Sequence, residues 1–269
     1  MYSDKDALLT SIIILTQNGF QHTKRCIQSI SDHTEARYEL ICIDNGSSDG
    51  TSEYLKTLPN STVIVNEINT GFPGGCNQGF SMAKGEYIVI LNNDTVVTKK
   101  WLSKLIKWLE IDDKIGIVGP RSNFVLPEQM IHQVPYHTID EMHIFADKWM
   151  EKNKEQGFTA PYLSGFCMAF KKELLLKIGG MDERFYPGYF EDIDFSIRAR
   201  IAAKKLWVAN DVYIHHHGSS SFKRLKQNKI LNVNREKFLK KWRITNFDQL
   251  EELIKLEQPL NIERHYIPF

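Results

Sequence analysis

The sequence predicts an α/β fold in which helices sandwich a mostly parallel sheet and a helical extension closes the C-terminus. Three observations carry this. Short β-branched runs alternate with segments of helical period through the first half. Each run stops at polar or glycine-rich residues, and the tail FKRLKQNKILNVNREKFLKKWR reads as one basic helix.

The apolar runs at 11–15, 39–43, 62–65, 87–91 and 115–118 are the expected strands. Between them, Cys26, Ile27 and Ile30 share one face of a helix over 22–33, and Trp101, Leu102, Leu105, Trp108 and Leu109 form a core stripe of another. Residues 121–161 are irregular apart from IDEMHIFADKWMEKNKE, which has helical character, and a connection this long suggests an acceptor-side insertion. A second short helix is expected over 248–256. The organisation expected is a domain over 1–222, with a nucleotide half of about 1–120 and an acceptor half of about 121–222, and a basic helical extension over 223–269.

The composition, 42% hydrophobic and 25% charged with a net charge of +1, fits a globular chain and argues against nucleic acid as the partner. Four cysteines without a CxxC pair predict free buried thiols. MYSDKDALLTSIIIL has acidic residues before a short apolar run and lacks a basic leader, so a cytoplasmic location is expected. The cations of 223–242 are read first as a solvated helix face; peripheral contact with anionic lipid at the inner membrane face, or with a partner protein, is the alternative.

In open α/β sheets the ligand crevice lies beyond the carboxyl ends of the strands. That directs attention to Thr16-Gln17-Asn18, Asp44-Asn45-Gly46, the segment 66–71 and Asn92-Asn93-Asp94. In IDNGSSDGT, Asn45, Gly46 and Ser47 are turn formers and Asp49 is an expected N-cap. Asp44 has no turn duty, and its carboxylate suits the N3–H of uracil or thymine, or ribose hydroxyls. NTGFPGGCNQG places glycines before a helix expected from Asn77, a setting that suits phosphate, although it is neither a P-loop nor GxGxxG. YFEDIDFSIRAR puts Glu191, Asp192 and Asp194 in one first turn, more carboxylate than a helix dipole calls for. Such a group can take a proton from a hydroxyl. In IHHHGSSS, adjacent histidines on an extended segment alternate in direction, so at most one or two reach a single site.

Taken in order, Thr16-Gln17-Asn18, IDNGSSDGT, NTGFPGGCNQG, ILNNDT, SGFCMAFKKELLLKIGGMDERFYPGYFEDIDFSIRAR and IHHHGSSSF resemble the family 2 glycosyltransferases of GT-A fold, a Rossmann-like nucleotide-binding architecture. The closest likeness is to the rhamnosyltransferase-like branch, over roughly 11–222. The resemblance implies inverting, metal-dependent transfer of a sugar from a nucleotide diphosphate donor to a hydroxyl of a glycan, glycolipid or glycoprotein, with Mn²⁺ or Mg²⁺ as cofactor. It implies that Thr16, Asn18 and Asp44 hold the nucleoside and that Asn69, Gly71, Gly75 and Asn77 line the nucleotide-sugar pocket. Asp94 falls on the last position of the metal-binding DxD motif, and Asp192, paired with Glu191, falls on the catalytic base. His215, in the pattern HxxGxS with Gly218 and Ser220, falls on a metal-completing histidine, with His217 as second choice.

The departure from the family pattern is Asn92-Asn93, where many relatives carry carboxylates; these amides are better suited to hydrogen-bonding the donor. UDP is favoured as the nucleotide and dTDP, as in dTDP-rhamnose, stays open, as do the sugar, the acceptor and homo-oligomer formation. Two other readings stay in view: a nucleotide-sugar-binding scaffold subunit, and a sugar nucleotidyltransferase, for which TQNGFQHTKR is a poor activating loop.

Overall fold

The computed structural model describes residues 8–218 and 224–269. The expected apolar runs form β1 (Thr10–Thr16), β2 (Tyr38–Asp44), β3 (Ser61–Val65), β4 (Tyr87–Asn92) and, after the two-residue strand β5 (Thr95–Val96), β6 (Ile115–Arg121). They alternate with α1 (Phe20–His33), α2 (Thr51–Lys56), α3 (Gly71–Met82) and α4 (Trp101–Ile111). The chain continues through α5 (Ile139–Lys152), β7 (Gly157–Thr159), β8 (Cys167–Lys171), α6 (Lys172–Ile178), α7 (Glu191–Ile201), β9 (Lys205–Tyr213) and β10 (His215–His216). It ends in α8 (Arg224–Trp242), α9 (Leu250–Leu256) and α10 (Ile262–His265).

Eight strands form one sheet in the order β3-β2-β1-β4-β8-β6-β9-β7. β1, β2, β3 and β4 run parallel, as do β6 and β9; β8 is inserted antiparallel between β4 and β6. Because strands of a parallel sheet are covered on both faces, their side chains split into two cores. Ile12, Ile14, Cys42, Val89 and Leu91 pack towards α1 and α4, whereas Ile13, Leu15, Ile41, Ile88 and Ile90 pack towards α3, α6 and α7. All four cysteines are buried and free. Burial pushes the Cys26 thiol up to about 12.

One boundary differs from the sequence reading. The glycine-rich stretch expected to precede a helix from Asn77 is itself the start of α3, at Gly71. The glycines serve close packing: a Cβ on Gly79 would lie 2.4 Å from Ile13 Cγ2, and one on Gly75 would lie 2.6 Å from Leu15 Cδ2. A residue without Cβ lets the helix backbone sit directly on β1.

The C-terminal helices pack against α7. Phe238 and Trp242 of α8 and Leu250, Leu253 and Ile254 of α9 share a core with Phe185, Ile197 and Ile201. Beneath them Asp194 is wholly buried. Its carboxylate accepts from Arg198 Nε (2.9 Å) and Trp242 Nε1 (3.0 Å) and pairs with Lys241 Nζ (2.5 Å). Arg198 also donates to the carbonyls of Ile178 and Gly180. The third acid of the EDID motif is therefore a structural hub: its removal leaves the buried Arg198 without its carboxylate and takes one of the two that Lys241 pairs with. Asp194→Ala is expected to cost about 3–5 kcal/mol in a denaturant titration; a loss below about 1 kcal/mol would contradict this role.

Of the cations read from sequence as a basic patch, Lys241 points inward to Asp182 and Asp194, and the exposed Lys237 donates to the Arg184 carbonyl. Lys223, Ser220 and Phe222 lie outside the described residues, as do the side chains of Arg224 and Lys226. No described helix is long and apolar enough to cross a membrane.

Candidate active site

The carboxyl edges of β1 and β2 are knitted into one corner. Asp44, with no exposed surface, accepts from Thr16 Oγ1 (2.9 Å) and from the Ser47 backbone N–H and hydroxyl. Asn18, in a left-handed turn at φ 59°, accepts from Ser48 N at 2.8 Å and donates its own N–H to Ser47 Oγ at 2.7 Å. Asp49 does not cap α2, whose N-cap is Gly50; it accepts from Thr51 just ahead of that helix and from Phe20 N of α1. The three residues expected at the nucleoside are thus brought together, with Asp44 ordering the other two from beneath.

The loop before α3 is centred on Asn45, which the sequence reading treated only as a turn former. Its amide oxygen accepts from Asn66 Nδ2 and Thr70 Oγ1, both at 2.9 Å, and its Nδ2 donates to the Gly71 carbonyl. Asn69 Oδ1 accepts from Gly71 N at 2.7 Å, which fixes the start of α3. Gly71 has φ 76°, and a Cβ there would meet Tyr186 at 2.8 Å. Gly75 lies beneath Leu15, and the Asn77 amide is bonded to Met181 and Glu183, so both brace α3.

At the end of β4, Asn93 Nδ2 donates to Thr23 Oγ1 (2.8 Å), tying the turn to α1. Asp94 is buried, and its carboxylate lies 3.1 Å from a histidine. That histidine is His216, not His215 or His217. β10 pairs antiparallel with β5, so consecutive side chains alternate, and the middle histidine turns towards Asp94. His216 Nδ1 lies 2.7 Å from the Phe124 carbonyl, which can only accept, so Nδ1 carries the proton. Nε2 then faces Asp94 Oδ1 at 3.1 Å and the amide of Asn92 at 3.4 Å. Asn123 holds the His216 backbone from both sides, its Oδ1 accepting from N and its Nδ2 donating to O.

His215 turns the other way, its Nδ1 2.7 Å from Tyr136 Oη. Burial, then the neighbouring His217 and His216, pushes it down to about 4. His217 donates its backbone N–H to the Asp94 carbonyl, its ring lies 4.7 Å from that of His22, and its buried Nε2 has no hydrogen-bond partner.

The Asp94–His216 pair fits a divalent cation. Two neighbouring ligands of an octahedral ion, each about 2.1 Å from it, lie about 3 Å apart. The 3.1 Å separation matches that edge, and an imidazole whose other nitrogen is held by a carbonyl is the usual arrangement for a ligating histidine. Among the described residues no third His, Cys, Asp or Glu completes a metal cluster. The remaining positions are left for donor oxygens and water.

Asp192, the second residue of α7, is half-buried and accepts from Gly165 N at 3.0 Å and Ile193 N at 2.9 Å. Burial raises its carboxyl above the ordinary range, with those two backbone donors opposing. Glu191 is buried more deeply, and its Oε2 has no hydrogen-bond partner. Burial and the adjacent Asp192 hold it well above the usual carboxylate range. Of the ED pair, Asp192 is the member suited to accept a proton.

One short strip joins the two ends of the site. Gly165 N holds Asp192, the Phe166 carbonyl accepts from Asn92 N at 2.8 Å, and the Phe166 ring stacks on His216 at 5.1 Å with an 18° interplanar angle. The first turn of α3 packs beside it, because a Cβ on Gly165 would lie 3.2 Å from Phe72.

Residues 11–179 match the family described as Glycosyl transferase family 2. The chain belongs to that family. It is similar to an N-acetylglucosaminyl-diphospho-decaprenol L-rhamnosyltransferase of Mycobacterium tuberculosis, 23% identical over 78% of this chain and 76% of the relative. Among solved structures, a mannosyltransferase of Pyrobaculum calidifontis in complex with GDP-Man and Mn²⁺ superposes with TM-score 0.63 and 19% identity, over 94% of this chain and 70% of that one. GalNAc-T7 with UDP, GalNAc and Mn²⁺ superposes equally, at TM-score 0.63 and 17% identity, over 97% of this chain and 58% of that one. The fold of this family 2 glycosyltransferase is GT-A. Three other curated relatives are matched over 39%, 25% and 61% of their own lengths, so this chain spans only part of them.

Proposed function

We propose that this protein transfers a sugar, with inversion, from a nucleotide diphosphate sugar to a hydroxyl of a glycan, lipid-linked or protein acceptor. The observation that carries the reading is the strip 164–166, which ties Asp192 to the Asp94–His216 pair at the carboxyl edge of the sheet. Residues 1–120 serve as the nucleotide-sugar half and 121–222 as the acceptor half, with 223–269 as a helical extension.

Inversion is a single in-line displacement, so it needs a base on the acceptor side and charge stabilisation at the departing diphosphate. Asp192 accepts the acceptor hydroxyl proton on its open side while Gly165 and Ile193 fix its direction. Asp94 and His216 hold the cation, Mn²⁺ or Mg²⁺, which when bound supplies positive charge at the diphosphate. Asn92 and Asn93 orient that edge, and Thr16, Asn18 and Asp44 shape the nucleoside corner. Asn69 and Gly71 set the start of α3 beside the donor. Support for a cation and a nucleotide donor comes from the two solved neighbours, both with Mn²⁺ and one with UDP, the nucleotide we favour over dTDP.

A thermal-shift screen of sugar nucleotides with Mn²⁺ tests donor binding. A ligand at about 100 times its Kd stabilises by about 2.7 kcal/mol, which raises Tm by on the order of 5 °C or more for a chain of this size. One nucleotide class is expected to do so with Mn²⁺ and less without it. No shift with any of them would overturn the reading.

A further inference from the structure

Both ends of the candidate site depend on one loop of the acceptor half. Ser122 and Met130 form a bridge at its base, with Ser122 N donating to the Gln129 carbonyl at 3.0 Å and Ile131 N to the Ser122 carbonyl at 2.8 Å. From this loop Asn123 and Phe124 hold His216 through its backbone and Nδ1. At its other end Gln129, with no exposed surface, reaches into the protein. Its Nε2 donates to the Pro120 carbonyl (3.0 Å), and its Oε1 accepts from Ser164 N (2.8 Å).

Ser164 is the first residue of the strip that carries Gly165 N to Asp192 and the Phe166 ring to His216. A buried amide meeting one carbonyl and one N–H is replaced by no other side chain without leaving a backbone group unpaired. Gly119 admits it, since a Cβ there would lie 2.6 Å from Gln129 Nε2. We propose that Gln129 is a positioning residue that locks the histidine-holding loop 122–130 to the strip 164–166 and so fixes Asp192 relative to the Asp94–His216 pair. The assignment rests on the catalytic reading of Asp192 given above. Gln129 touches no reacting group and acts through Ser164 and Gly165.

The test reads the Gly165 N–H to Asp192 bond directly. Asp192 is followed by ¹³C-carboxyl NMR titration, its signal assigned by its loss in Asp192→Asn. Glu191 in the same turn and Cys76 on α3 are the titratable groups that share its field, and both remain in the variants. In Gln129→Met the strip loses its anchor and the bond to the carboxylate loosens. A hydrogen bond that favours the charged form lowers a carboxyl pKa, so its weakening raises the Asp192 midpoint, by on the order of one pH unit for a bond of about 1.4 kcal/mol.

Gln129→Asn, one methylene short of spanning both partners, is expected to give the same direction and serves if the Met variant does not fold. A folded Met or Asn variant with the wild-type midpoint overturns the assignment. The titration needs neither donor nor acceptor. A wild-type protein inert towards every sugar nucleotide would therefore end the catalytic reading and leave the Gln129 coupling to be judged by the titration.

Discussion

Asp192→Asn is expected to lower sugar transfer by about 10²- to 10⁴-fold, the range a positioned general base contributes, while nucleotide-sugar affinity stays within a few-fold of wild type. The amide has nearly the same shape and its oxygen can still accept from Gly165 N, so the strip stays in place, while the bond from Ile193 N is lost together with the proton acceptor. Glu191 does not substitute for it, being more deeply buried. The check is a pair of measurements on one preparation: donor binding by calorimetry and transfer rate at saturating donor. Undiminished transfer would remove Asp192 from the role of base.

The second large effect separates the histidines. Asp94→Ala and His216→Ala are each expected to abolish cation-dependent transfer and to weaken Mn²⁺ binding in the presence of UDP by at least 10-fold. His215→Phe, which removes the hydrogen bond with Tyr136 and leaves the Asp94–His216 pair in place, is expected to leave Mn²⁺ binding within about 3-fold of wild type. Calorimetric titration of Mn²⁺ into each variant with UDP present distinguishes them. Retained affinity in His216→Ala with loss in His215→Phe would return the metal to the histidine that the HxxGxS pattern selects. Asn93→Asp adds a carboxylate at the same turn and is expected to preserve or strengthen Mn²⁺ binding.

Strand positions were legible because fully buried parallel strands leave continuous apolar runs, and β1, β2, β4 and β6 differ from the expected bounds by no more than three residues at either end. The antiparallel insertion of β8 was not legible, since CMAFK is as apolar as its neighbours and nothing local records strand direction. The glycines of NTGFPGGCNQG carried two compatible meanings, anion cradle and close packing, and only the proximity of Ile13 and Leu15 decides for packing at Gly75 and Gly79.

The same limit applies to side-chain direction. Alternation along IHHHG predicted that one or two histidines face the site, but which parity faces Asp94 depends on the β5–β10 register. In EDID the charges were visible and their fates were not. Asp194 belongs to the core because Lys241 and Trp242 arrive from a helix far along the chain. Asn123 and Gln129 went unnoticed, and Asn45 was read only as a turn former, for a related reason: a lone amide in a loop has no sequence signature, and its value comes from the groups it reaches.

The most direct test is release of nucleoside diphosphate by the wild-type protein with a panel of sugar nucleotides, with and without Mn²⁺ and acceptor glycans, with the product anomer read by ¹H NMR. The account predicts cation-dependent release with at least one donor and, where an acceptor is used, a product of inverted anomeric configuration. Binding of a sugar nucleotide without any release or transfer, with or without cation, would contradict it and make the protein a binding module.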